Sequence, residues 1–109
     1  MNKLLESYGI DVEFPHVSGA EHLEMLRLRD KLFDVESTLS LDEKKSLVEA
    51  DRHLVERASE FYAELSRFID FEQRRQTQQI PVIRWWWYLD VLAQLPQQLP
   101  SKVQTPVTA

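Results

Sequence analysis

Residues 40–76, SLDEKKSLVEADRHLVERASEFYAELSRFIDFEQRRQ, keep apolar side chains at a helical spacing for longer than any other part of the chain. Leu47, Leu54, Ala58, Phe61, Leu65 and Phe68 follow one another in steps of three, four and seven, and Val48, Val55, Tyr62 and Ile69 recur every seven beside them. Such spacing puts a wide apolar face on one helix. Ser40-Leu41-Asp42-Glu43 opens it with a capping-box spacing and two acids in the first turn, where the helix dipole favours negative charge. At the other end Asp70 and Arg74 are four apart, and Arg74 and Arg75 suit the negative end of the dipole. The reading is one long central helix over about 41–76.

The flanking segments take their places from that helix. Ser18-Gly19-Ala20-Glu21 is another capping-box spacing, and Met25, Leu28, Leu32, Val35 and Leu39 follow it in steps of three and four, predicting a helix to about residue 37. Pro81 suits the first turn of a third helix, and Pro96 ends it. A continuous helix over 41–76 spans about 50 Å, more than the diameter of a compact domain of this size. The two flanking helices are therefore expected to fold back antiparallel along its two halves. The predicted fold is all-α, an elongated three-helix bundle with part of each apolar face uncovered, a situation a second copy resolves, so a homodimer is expected. The alternative is a break near residues 68–72 that closes the chain into a compact monomer.

N-terminal to the bundle, residues 2–8 read as a short amphipathic helix ended by Gly9. Ile10, Val12 and Phe14 alternate with Asp11 and Glu13 until Pro15 intervenes. Residues 10–17 are expected to be extended, with strand pairing to residues 80–83 as the alternative. The domain is placed at residues 1–95, with 1–17 as an N-terminal arm. Residues 96–109, holding three prolines and three glutamines, read as a flexible tail.

Composition narrows the function. A net charge of -5 disfavours phosphate backbones and anionic lipid as general partners. No cysteine is present, which removes thiolate metal sites and cysteine nucleophiles and accords with a reducing compartment. The N-terminus reads Met1-Asn2-Lys3-Leu4-Leu5-Glu6, with an acid where a secretory signal has its apolar run, and a cytoplasmic protein without a membrane span is expected.

Few residues suggest a site. Wound as a helix, Trp85, Tyr88, Leu89 and Leu92 share a side, Trp86 lies towards its flank, and Trp87 faces away with Ile83, leaving Trp87 as the exposed indole. Either all three indoles pack in the core, or Ile83, Arg84, Trp86 and Trp87 form a partner-binding patch, since tryptophan and arginine are enriched at binding hot spots. Glu13-Phe14-Pro15-His16 has a Glu-x-x-His order but contains a proline. Glu49 and His53 sit at metal-clamp spacing that is equally that of a solvated pair. His22 reads as a polar surface position. Only Gly9 and Gly19 are available for a phosphate loop, and no Gly-x-Ser-x-Gly elbow is present. No metal, cofactor or catalytic residue is assigned. The leading expectation is a non-enzymatic helical protein acting by association, an assembly factor or small regulator with a larger protein partner. The second is an acidic regulator linked to a nucleic-acid-binding partner through Arg74 and Arg75, and the third a carboxylate–histidine metal protein.

Overall fold

In the computed structural model, which describes residues 2–95, the chain is all-helical. Among the described residues six α-helices occur: α1 (Lys3–Asp11), α2 (Gly19–Val35), α3 (Leu41–Glu56), α4 (Ala58–Leu65), α5 (Phe71–Gln78) and α6 (Leu89–Leu92), with short 3-10 helices at Glu36–Thr38 and Trp85–Tyr88. The tail expected over 96–109 lies outside the described residues.

The single helix expected over 41–76 is three helices. Its longest expected span exceeds the 44 Å of the molecule's largest dimension. The first break is at Arg57, with φ -109° and ψ 22°, and involves neither proline nor glycine. The Arg57 guanidinium instead donates to the Val12 carbonyl at 3.0 Å, reaching the last turn of α1. Leu47, Ala50 and Leu54 of α3 and Ala58, Phe61 and Leu65 of α4 are all buried, so the apolar stripe runs through the bend without a phase change and does not reveal it. The second break follows Leu65. Asp70 is not the partner of Arg74 there but the N-cap of α5, accepting the Gln73 N–H at 3.1 Å. Phe68, expected in the core, falls in the intervening turn and is 56 % exposed.

Both predicted helix starts at Ser18 and Ser40 are present. Ser18 Oγ accepts the Glu21 N–H at 3.3 Å. The Ser40 box is reciprocal: Glu43 N–H to Ser40 Oγ at 3.1 Å and Ser40 N–H to Glu43 Oε1 at 2.9 Å. The second Glu43 oxygen accepts the Asn2 N–H at 2.9 Å, tying the start of α1 to the start of α3. These backbone N–H groups hold the Glu43 carboxylate below its ordinary pKa.

The N-terminal arm is the other correction. Residues 3–11 are helical straight through Gly9, whose φ is not positive, and residues 10–17 are the helix end followed by turns, with no strand among the described residues. Asn2 Oδ1 caps the helix by accepting from Leu4 and Leu5 at 2.7 and 3.3 Å. Leu5, Tyr8 and Val12, spaced by three and four, are buried. The helical stripe of α1 thus outweighs the two-residue alternation of Ile10, Val12 and Phe14, of which only Val12 points inward. Helix α1 packs on both α2 and α3 and wedges between them. These two helices meet through long side chains: Arg29 Nε donates to Asp51 Oδ1 and its NH2 to Oδ2, both at 3.0 Å.

That pair closes the buried network of the core. Tyr8 Oη donates to Asp51 Oδ1 at 2.6 Å, and burial together with the Asp51 charge pushes the phenol pKa far above its ordinary value. The Arg29 guanidinium carbon lies 4.2 Å from the centroid of the Trp86 ring. His22, read as a surface residue, is also buried. Its Nε2 lies 3.0 Å from the Pro15 carbonyl, and its ring meets Phe61 edge-on with centroids 4.6 Å apart.

Candidate functional site

The Trp-rich segment is where sequence reasoning placed a partner site. Between Pro81 and Leu95 the chain is not one helix. A turn closed by Arg84 N–H on the Pro81 carbonyl at 3.0 Å leads into the 3-10 helix Trp85–Tyr88 and then into the single turn of α6. Upstream, Gln79 takes the left-handed conformation at φ 53°, and the Ile80 N–H bonds back to the Arg75 carbonyl at 3.1 Å, a Schellman-type ending that reverses the chain. The break before Asp70 and this reversal lay α5 against the Trp-rich segment from one side while α2 meets it from the other.

Trp87, the indole expected to face water, is therefore 3 % exposed. Its Nε1–H donates to both carboxylate oxygens of Asp30, at 3.0 and 3.1 Å. Trp86 Nε1–H donates to Asp30 Oδ1 at 2.9 Å, and Arg84 NH1 to the same oxygen at 3.0 Å. One carboxylate on α2 thus gathers two neighbouring indoles and a guanidinium. Arg84 also donates to Asp34 at 3.1 Å and lies 4.6 Å from the Phe33 ring centroid. From the opposite side the Arg74 guanidinium approaches the Trp87 ring at 5.4 Å. Arg75 donates to the Trp87 carbonyl at 3.0 Å and to Asp90 at 2.7 and 3.1 Å, and the Asp90 bond, set against burial, raises the arginine pKa. Of the four residues proposed for partner binding, Trp86 and Trp87 are core and Arg84 is half-buried in ion pairs. Ile83 is 63 % exposed, beside exposed Val82.

The pairs considered for metal sit on the outside of α3. His53 Nδ1 bonds Glu13, and its Nε2 lies 3.5 Å from Glu49. The two carboxylates therefore meet opposite edges of one imidazole. Arg57 approaches Glu13 at 3.6 Å, and Arg52 pairs with Glu49 and Glu56. Among the described residues no group of three such side chains converges on a point where an ion would sit. His16 is exposed and does not join them. Arg74 and Arg75, the basic pair considered for nucleic acid, are engaged with Trp87 and Asp90.

A surface that sequence reasoning missed runs along α1. A shallow apolar groove between α1 and α3 is lined by Leu5, Glu6, Gly9, Ile10 and Ser46. On the other flank of Ile10, towards α2, a second depression is lined by Ile10, Asp11, Phe14, Val17, Glu21 and His22. Leu5 forms the floor of the groove, Ile10 stands between the two hollows at 60 % exposure, and Phe14 lines the second at 56 %. At Gly9, in the middle of the groove, an added Cβ would meet no atom within 4 Å. The other glycine is the reverse case: a Cβ on Gly19 would lie 2.5 Å from the Glu64 carbonyl and 2.4 Å from the Phe68 ring. The extended reading of residues 10–17 put Ile10, Val12 and Phe14 on one inward face, whereas the helix end and the turns after it bury Val12 and leave Ile10 and Phe14 outside.

The fold and this surface define an all-helical protein with an open apolar groove, and no described helix is long and apolar enough to cross a membrane. Comparison with protein-family models, with curated proteins and with solved structures finds no match to the chain.

Proposed function

We propose that this chain acts by association with another protein and carries out no chemistry of its own. The observation that carries the reading is the pair of hollows flanking α1, where Ile10 and Phe14 stay largely in water. The charged groups drawn into the fold support it, because Arg29 with Asp51, Arg75 with Asp90 and Arg84 with Asp30 face one another across helix junctions. They act as structural ties. The expected homodimer rested on a helix too long to cover itself, and the bend at Arg57 and the reversal after Leu65 remove that reason. The partner proposed here is a different protein, in the cytoplasmic setting that the cysteine-free sequence suggests.

The reading is tested by affinity capture from native cell extract with the wild-type chain, Ile10→Asp and Ile83→Asp, each first shown to melt at the same temperature. Loss of a captured protein in Ile10→Asp with retention in Ile83→Asp is the expected outcome. The opposite pattern would return the site to the Val82–Ile83 ledge beside the Trp-rich segment. Retention in both would end the association reading for either surface. Sedimentation of the purified chain measures its self-association independently.

A further inference from the structure

We infer that the hollow between α1 and α2 takes a lysine or arginine side chain of the partner protein. The inference rests on the association reading above and names the group that the partner inserts.

The first argument is the charge around the hollow. Its apolar wall is Ile10, Phe14 and Val17, and its polar groups are Asp11, Glu21 and His22, with no lysine or arginine beside them. Neither acid has an ion-pair partner among the described residues, whereas Asp30, Asp51 and Asp90 are each matched to an arginine. Asp11 is the last residue of α1, at the negative end of the helix dipole, where a cation is favoured and an acid is not, and no base lies in that turn. The residue is half-buried. Burial, and next the charge of Glu21, hold its carboxyl above the ordinary value, with His22 pulling the other way. One cation between Asp11 and Glu21 relieves the dipole and the like charges together.

The second argument is what Glu21 and His22 leave unpaired. Ser18 Oγ accepts the Glu21 N–H, but the Glu21 carboxylate does not return to the Ser18 N–H as that of Glu43 does to Ser40. His22 is 1 % exposed, and its Nε2 lies 3.0 Å from the Pro15 carbonyl. A carbonyl only accepts, so Nε2 carries the proton and Nδ1 is an acceptor. Nδ1 has no partner, yet the one side-chain polar atom both sealed from water and unpaired among the described residues is Arg29 Nη1. His22 Nδ1 therefore keeps an opening, and the ring lines the hollow. Three acceptors thus meet there without a free side-chain donor.

A lysine or arginine brings donors and positive charge at its tip, and its methylene stem suits the wall of Ile10, Phe14 and Val17. A metal ion is the poorer occupant, because no three ligands converge among the described residues and the apolar wall gives it nothing.

The test titrates four probes into the full chain, followed by NMR: the capped peptides Leu-Lys-Leu, Leu-Arg-Leu and Leu-Gln-Leu, and butylammonium. The lysine or the arginine peptide should shift Asp11, Phe14, Val17 and His22, move the Asp11 titration to lower pH, and bind at least about tenfold more tightly than the glutamine peptide and butylammonium. Asp11→Asn and Glu21→Gln, which remove charge with little change of shape, should each abolish that preference. Glu21 is exposed, so Glu21→Gln carries the test even where Asp11→Asn does not fold. Equal binding of the glutamine peptide, an unchanged preference in Glu21→Gln, or shifts centred on Gly9 and Ser46 or on Ile83 overturns the inference. Butylammonium binding as tightly as the lysine peptide overturns it in favour of a free amine, and a dimer in sedimentation that Glu21→Gln dissolves overturns it in favour of a second copy. Failure of every peptide together with loss of capture in Ile10→Asp overturns it and leaves the association reading standing. Retained capture in Ile10→Asp overturns the association reading and this inference with it.

Discussion

The Trp87 indole N–H reaches both oxygens of the Asp30 carboxylate, at 3.0 and 3.1 Å, across 57 residues of sequence. With Trp86 and Arg84 on the same carboxylate, Asp30 gathers three donors from the C-terminal part of the described chain onto α2. Asp30→Ala would leave the two indole donors and the guanidinium without this acceptor. The expected loss is about 2 kcal/mol or more, from donors left unpaired in a partly buried site. Urea denaturation followed by tryptophan fluorescence measures it, and a change below about 0.5 kcal/mol would show that Asp30 is not the tie.

The two glycines should respond oppositely to one methyl group. Gly19→Ala drives Cβ towards the Glu64 backbone carbonyl and the Phe68 ring, so α2 must shift off α4 at a cost of about 1–3 kcal/mol. Adding Phe68→Ala should not restore the loss, because the carbonyl remains. Gly9→Ala should raise stability by about 0.5–1 kcal/mol, since the added methyl meets nothing and helix propensity improves. Thermal melts of the three variants check both signs.

Phe61 is fully buried against His22, and Phe61→Ala should destabilise by about 3 kcal/mol or more through lost burial and the cavity left behind. Phe68→Ala, at a position expected from spacing to be equally buried, should change stability by less than about 1 kcal/mol, because the ring is already largely in water. Parallel denaturation curves compare the two.

Acidification should weaken the fold through His22. Burial lowers its pKa below the ordinary 6.5, against the opposing pull of the Pro15 carbonyl and of Glu64, Glu21 and Asp11. Below pH 6.5 the unfolded chain takes up a proton that the folded imidazole resists, so stability falls as pH drops through 6.5 towards the folded value. Asp11, raised above its ordinary 3.8, acts in the opposite sense, favouring the fold as pH falls through its own raised value. His22→Gln should flatten the slope on the acid side of 6.5. Denaturation midpoints of the two proteins at pH 7 and at the acid end of that window test the sign, and an equal slope in both would assign it elsewhere.

Local signals determined the all-α class, the starts of α2 and α3 at Ser18 and Ser40, and the burial of Leu47, Leu54, Phe61 and Leu65, because caps and apolar spacing act within a few residues of themselves. Two further signals were equally local: Leu5, Tyr8 and Val12 carry α1 past Gly9, where the helix expected over residues 2–8 was ended, and Asp70 with Gln73 marks the start of α5, which was read as part of the long helix. The bend at Arg57 was not legible, because the stripe keeps its phase through it and the bend involves a carbonyl 45 residues away. Nor was the fate of Trp87. A helix buries one face against one neighbour, but a 3-10 turn between α2 and α5 is covered from two sides, and only the tertiary structure sets those two helices there. The two hollows have the same origin: Ile10 and Phe14 are ordinary apolar residues in the sequence, and they become a surface only because α1 wedges between α2 and α3 with its other face inward.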